Sequence, residues 1–278
     1  MTQKHLIKLI DLALAEDLGS GDLTTEAIFP QRYVGRAEMV AREKLVISGL
    51  QVAAEVFRRL SRACRFKPAV KEGAQVKKGA KLAELRGPVR ALLCGERTAL
   101  NFIRHLSGVA TLTRTYVKEL EGTGCKLLDT RKTTPGMRAL EKAAVKAGGG
   151  SNHRMGLFDG VIIKDNHIIA AGSIEDAVAR VRKRAGSKMK IEVECSGIRQ
   201  VTAALDAGAD IIMLDNMSPA RMARAVEIIA GRAKTEASGR VTLKNIRRVA
   251  QSGVDYVSVG AITHSAPSVD IAMDMTFP

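Results

Sequence analysis

The sequence predicts an α/β protein: an incomplete α/β barrel of six or seven strands, preceded by an α+β sandwich domain. Three observations predict it. From about residue 126 onward, short apolar runs alternate with helical stretches, the pattern of a parallel sheet. Each run ends in a polar or glycine residue suited to chemistry, and barrels carry their sites at the C-terminal ends of their strands. Before residue 108 the texture changes to short strand-like pieces punctuated by turn glycines, which argues antiparallel pairing.

Taken in order, the chain opens with Leu6, Leu9, Ile10, Ala13 and Leu14 at helical spacing. Asp11, Glu16 and Asp17 interrupt that stripe, so it reads as neither a signal peptide nor a membrane span. Short strands follow at 36–41 and 45–48, then an amphipathic helix at 50–60. Glycines at 73, 79 and 87 mark turns between further short strands. This piece resembles the glycine-turn hairpin of lipoyl-type domains, but no lysine sits in a tight acidic turn, so it reads as scaffold. Two helices, 96–106 and 110–120, are expected to hinge at Ser107-Gly108. The barrel strands are expected at 126–128, 161–163, 191–193, 211–214, 233–235 and 256–259. They end in Asp129, Lys164, Glu194, Asp215, Glu236 with Ser238, and Gly260 with His264. The last four recur at about 21-residue spacing, close to the minimum for a strand, a helix and two loops. The run at 233–235 is the least regular, because Lys234 interrupts it. The domains are therefore residues 1–108, joined by the segment 268–278, and a catalytic barrel over 109–267.

Composition narrows the partners. Hydrophobic residues make up 46% and charged residues 26%, as in soluble globular proteins. Lys and Arg total 44 against 29 acids, giving +15, which points to acidic partners. Nucleic acid is disfavoured, since aromatics are only 3%, Trp is absent and few rings remain for base stacking. Cys64, Cys94, Cys125 and Cys195 are far apart and read as reduced thiols of a cytoplasmic protein.

The densest chemistry lies in DTRKTTPGMRALEKAAVKAGGGSNHRMGLFDGVIIKDNH, residues 129–167. Arg131, Lys132, His153, Arg154 and Lys164 are crowded at the ends of apolar segments, where folding alone would not favour mutual repulsion. A polyanionic ligand accounts for them better than a solvated basic face. Glu194 and Asp215, at adjacent strand ends, suit a divalent metal or vicinal sugar hydroxyls. EASGRV at 236–241 and VGAITHS at 259–265 bring glycines and small hydroxyls to the last strand ends, as phosphate-binding barrels do.

These blocks occur in order with EDLGSGDLTT at 16–25, GERTALNFIRHLSGVAT at 95–111, EVECS, LDN and VGAITHSAPSVDIAMDM. Over nearly the full length the chain resembles the quinolinate phosphoribosyltransferases, a type II phosphoribosyltransferase family. The resemblance implies transfer of phosphoribosyl from phosphoribosyl pyrophosphate to quinolinate, with magnesium and decarboxylation, in NAD biosynthesis. It implies that Arg131, His153, Arg154 and Lys164 hold the quinolinate carboxylates and that Lys132 bridges toward the donor. Glu194 and Asp215 would face the ribose hydroxyls and magnesium, directly or through water. Ser238, Gly239, Gly260 and His264 would surround the terminal phosphate. Arg97 would enter the site of a second subunit, which implies a homodimer or a higher oligomer with shared sites. Arg240 departs from the family, which more often has a small or neutral residue there; its side chain fits either an added phosphate contact or, the preferred reading, a solvent-facing position.

Other readings stay open at this stage. Asp129 fits a loop-fixing role, His5 and His105 fit surface or packing roles, and His167 fits either support of Lys164 or substrate contact. Glu236 suits a site role over a purely structural one. The rival functions are a paralogue acting on another heterocycle, a class I aldolase forming a Schiff base on Lys164, and an RNA-binding protein.

Overall fold

The computed structural model describes residues 3–186 and 188–276; residues 277 and 278 of the expected C-terminal joining segment lie outside the described residues. The first stretch carries α1 (Gln3–Leu18), α2 (Leu23–Ile28), β1 (Val34–Ala41), β2 (Leu45–Val46) and α3 (Leu50–Leu60). It continues with β3 (Arg65–Pro68), β4 (Gln75–Val76), β5 (Lys81–Pro88) and α4 (Val89–Glu119). The second stretch carries β6 (Lys126–Leu128), α5 (Arg138–Ala147), β7 (Val161–Ile163), α6 (Asp165–Ala171), α7 (Ile174–Ala185) and β8 (Ile191–Cys195). Then come α8 (Ile198–Asp206), β9 (Ile211–Asp215), α9 (Pro219–Ile229), β10 (Lys234–Ser238), α10 (Ile246–Ala250), β11 (Tyr256–Ser258), α11 (Ala261–His264) and β12 (Ile271–Thr276).

The chain forms two compact units. The described parts of residues 1–114, 134–149 and 265–278 make one, and 115–133 with 150–264 make the other. In the first, an antiparallel sheet runs in the order β12-β1-β5-β3, with β2 paired to β4. Along β1, Ala37, Met39 and Ala41 are buried at the period of two that a strand with one core face requires. The N-terminus of α3 is capped from a distance, because the Glu72 carboxylate accepts the amides of Gly49 at 3.0 Å and Leu50 at 2.7 Å.

The expected hinge at Ser107-Gly108 is absent: α4 is one continuous helix of 31 residues. A glycine costs a helix only about 1 kcal/mol, so tertiary packing overrides it. Here the pair serves contact, not bending. A Cβ at Gly108 would collide with the Pro267 carbonyl oxygen. The buried Ser107 hydroxyl donates to the Ser48 carbonyl and accepts the Ser48 amide. Gly87 is likewise no turn residue, but lies within β5 opposite Gly35.

The second unit is a parallel sheet in the order β6-β11-β10-β9-β8-β7, its strands alternating with helices. Thr130, just beyond β6, and Ile162 on β7 come from opposite edges of that sheet yet line one cavity. The sheet is therefore curled into an incomplete barrel. A single parallel bridge, Leu128 to Ser151, extends the β6 edge.

At the strand starts, two aspartates staple neighbours together. Asp255 accepts the Thr235 amide at 2.9 Å and pairs with Lys234. Asp210 accepts the Ile191 amide at 2.9 Å and pairs with Arg182 and Lys190. Burial opposes the Asp210 charge, but the Arg182, Ile191 and Lys190 hydrogen bonds outweigh it and hold the carboxyl at about 2. Because that pKa is depressed, the stability it supplies is complete above about pH 4 and is lost as pH falls toward 2. Asp210→Asn is expected to cost about 2 kcal/mol at neutral pH and progressively less below pH 4. Denaturant titrations across that range check it; a loss independent of pH would rule out the charge as the cause.

Among the described residues, no helix is long and apolar enough to cross a membrane.

Candidate active site

The C-terminal ends of the strands surround a cavity of about 700 Å³. Its wall includes Arg131, Lys132, His153, Arg154, Lys164, Glu194, Asp215, Ser238, Gly239, Gly260 and His264. All the barrel residues expected from the sequence are thus brought together. Arg97 lies in the other unit, exposed on α4.

Local structure explains how each is delivered. Asp129, fully buried after β6, accepts the His153 amide at 2.8 Å and the Asn152 side-chain amide at 2.6 Å. It fastens the loop after β6 to the segment carrying His153 and Arg154. The Lys132 carbonyl accepts the Thr263 hydroxyl at 2.7 Å, joining that loop to α11. A Cβ at Gly260 would stand 3.1 Å from both Lys132 Cδ and His264 Nε2, so only glycine lets the two side chains flank this point without displacement. His167 accepts the Lys164 amide on Nδ1 at 3.0 Å, fixing the turn from β7 into α6. Of its two open readings, support of Lys164 is the one with a hydrogen bond behind it.

The electrostatics divide the cavity. Lys164 Nζ is 2.5 Å from Glu194 Oε2, and the lysine side chain is 47% exposed. That ion-paired, solvated lysine is not the desolvated amine that a Schiff-base aldolase needs. Asp215 accepts from the Asn216 side-chain amide at 2.7 Å. Burial lowers the Arg154 pKa, and the neighbouring Arg131 charge lowers it further. Arg154 Nη1 donates to the Gly160 carbonyl at 2.9 Å, while its Nε is buried with no hydrogen-bond partner. Cys195, at the end of β8, offers no nucleophile, because burial pushes its thiol up to about 12. Arg240 is exposed at the rim with a positive φ of 54°.

Beneath the cations lies a group that the sequence did not reveal. His153 Nε2 is 3.0 Å from Glu192 Oε2 and 3.3 Å from Glu236 Oε2, and both carboxylates are almost fully buried. Burial works against a charge on His153, while the hydrogen bonds to Glu192 and Glu236 favour a proton on the nitrogen that faces them. The Arg154 amide meanwhile points at Nδ1 from 2.7 Å, leaving no room for a proton there. The proton that the carboxylates hold in place is therefore the one on Nε2. Burial also raises Glu192 above the usual carboxylate range. His153 was expected to grip a substrate carboxylate; in this structure both of its ring nitrogens already have protein partners.

A family model described as the quinolinate phosphoribosyl transferase N-terminal domain matches residues 22–107, and the C-terminal domain model matches 109–274. The chain belongs to the quinolinate phosphoribosyltransferase family. It is 45% identical to a probable nicotinate-nucleotide pyrophosphorylase (carboxylating) of Bacillus subtilis, over 99% of this chain and 95% of that protein. It is 42% identical to the nicotinate-nucleotide pyrophosphorylase (carboxylating) of Mycobacterium leprae, over 95% and 94% of the two chains. Its fold superposes on the crystal structure of NadC from Streptococcus pyogenes with a TM-score of 0.96 at 41% identity, covering 100% and 99% of the chains. As a quinolinate phosphoribosyltransferase, the chain carries the family's two domains in order and the family's fold.

Proposed function

We propose that this chain transfers the phosphoribosyl group of phosphoribosyl pyrophosphate to quinolinate, releasing pyrophosphate and carbon dioxide and giving nicotinate mononucleotide for NAD biosynthesis. The observation that carries this reading is Arg154 Nε, buried without a partner beside Arg131 on the wall of the cavity. Two cations held together, one with an unsatisfied donor, call for a carboxylate that both can grip. Arg131, Arg154 and Lys164 then take the two acceptor carboxylates, with Lys132 reaching toward the donor. Glu194 and Asp215 face the ribose, and Ser238, Gly239, Gly260 and His264 line the wall that receives the terminal phosphate.

The chemistry follows from charge. As pyrophosphate leaves, the ribose becomes oxocarbenium-like, and Glu194 and Asp215 stabilise its positive charge without a covalent bond. The pyridine nitrogen, oriented by the carboxylate clamp, attacks the anomeric carbon. The resulting pyridinium nitrogen stabilises the electron pair left on the adjacent ring carbon as carbon dioxide departs, and that carbon then takes a proton from water, so no protein nucleophile is needed. Glu194 and Asp215, carboxylates at adjacent strand ends, would hold a magnesium ion, directly or through water. When bound, magnesium supplies charge neutralisation for the leaving pyrophosphate.

We further propose a cytoplasmic homodimer in which Arg97 of one subunit completes the barrel site of the other. The reading rests on Arg97 lying exposed on α4, within the motif shared with the family. Nucleic acid is no partner in this reading.

The decisive assay omits each reactant in turn. Nicotinate mononucleotide should form only with quinolinate, donor and magnesium together, and nicotinate should not replace quinolinate. Carbon dioxide release without the donor would contradict the order of steps.

A further inference from the structure

We propose that Glu192 and Glu236 are positioning residues, which lock the His153 imidazole in one orientation and thereby set where Arg154 stands on the cavity wall. The inference deepens the function proposed above and rests on its reading of the cationic wall. Three geometric facts support it. Both carboxylates reach the same ring nitrogen, Nε2, at 3.0 and 3.3 Å. The opposite nitrogen, Nδ1, accepts the backbone N–H of Arg154 at 2.7 Å, so ring orientation is transmitted directly to that residue. Asp129 holds the same segment from the other side through the His153 amide. Segment 152–154 is thus fixed at backbone and ring, and the side chain it presents is Arg154.

Two alternatives fit less well. The three groups are close enough to hold a metal ion. A metal-bound imidazole must donate through its other nitrogen, however, and here that nitrogen faces an N–H donor. The proton on Nε2 occupies the place where a metal would bind. Nor does stability explain the array. Glu192 Oε1 and Glu236 Oε1 are buried with no hydrogen-bond partner, and buried charges of this kind are often matched or bettered by apolar side chains. The array also separates two spaces: His153, Arg154 and Glu236 line both the mouth cavity and a second cavity at the strand starts. An array bordered by cavities is not held by tight packing, so its geometry depends on its hydrogen bonds.

The test compares ligand affinities by calorimetry, using pyridine-2,3-dicarboxylate and phosphoribosyl pyrophosphate separately. Glu192→Met and Glu236→Met keep the side-chain volume but remove the acceptors. Each is expected to lose affinity about tenfold or more for the ligand that Arg154→Ala loses, with the other ligand within about threefold. Glu192→Gln and Glu236→Gln, which retain an acceptor for Nε2–H, should recover to within about threefold of wild type. Wild-type binding of both ligands by the Met variants overturns the proposal, as does equal loss of both, or loss of the ligand that Arg154→Ala keeps. If a Met variant fails to fold, the double Glu192→Gln, Glu236→Gln variant decides. Each single Gln variant keeps one charged acceptor, whereas the double has only neutral amides facing Nε2, so it must lose that same ligand alone, by about fivefold or more; no loss, or loss of both, overturns the proposal. Should Arg154→Ala lose the donor and keep the dicarboxylate, the assignment of the cationic wall is wrong. The positioning claim is still judged by whether the glutamate variants copy Arg154→Ala.

Discussion

Mixing Arg97→Ala and Glu194→Ala proteins, each inactive alone, is expected to restore about a quarter of wild-type activity if each site is shared across a two-fold dimer. Each variant by itself should lose on the order of 100-fold or more in rate, the scale of removing one preorganised charge from a transition state. Arg97 lies in the first unit and Glu194 in the second, and a shared site would draw them from different chains. In a hybrid dimer, one site then combines an intact barrel with an intact Arg97, and the other carries both lesions. Subunit exchange can be verified with differently tagged chains. If exchange is complete and the mixture stays dead, Arg97 does not act across an interface.

Removing Lys164 should produce the largest change in acceptor binding. Lys164→Ala is expected to weaken quinolinate binding roughly 10- to 100-fold, the scale of losing one hydrogen bond between charged groups. Donor affinity should change by less than about fivefold, since Lys164 is assigned to the acceptor side alone. Calorimetry with each ligand separately reads both numbers. Equal losses would move Lys164 to the donor half of the cavity.

Much of this architecture was legible because barrels place chemistry where strands end. Lys164, Glu194 and Asp215 each follow or close an apolar run, and each lines the cavity. The irregular run at 233–235 is a strand after all, from Lys234 to Ser238. Lys234, the residue that obscured it, is exposed and paired with Asp255, while Thr235, Glu236 and Ala237 are buried. Glu192 was not legible in the same way, because it sits near the start of β8 and not at its C-terminal end. In a strand, residues two apart share a face, so Glu192 and Glu194 point the same way from different depths, one buried and one at the rim. That spacing was a usable signal, and the pairing of Glu236 with the same histidine was not. The continuity of α4 could not be read either. A Ser-Gly pair looks the same whether it bends a helix or admits a neighbouring backbone, and only the position of Pro267 decides.

The Lys164–Glu194 pair closes a circuit across the cavity mouth. With Lys164 assigned to the acceptor and Glu194 to the ribose, its two members belong to different ligands. Either ligand must therefore displace a partner already in place, and its observed affinity is weaker than its own interactions would produce. The second to arrive finds its counter-group already released. Acceptor and donor then favour each other's binding by the same factor, whichever comes first. A single ion pair, 2.5 Å long, would make an enzyme reluctant to hold one substrate without the other.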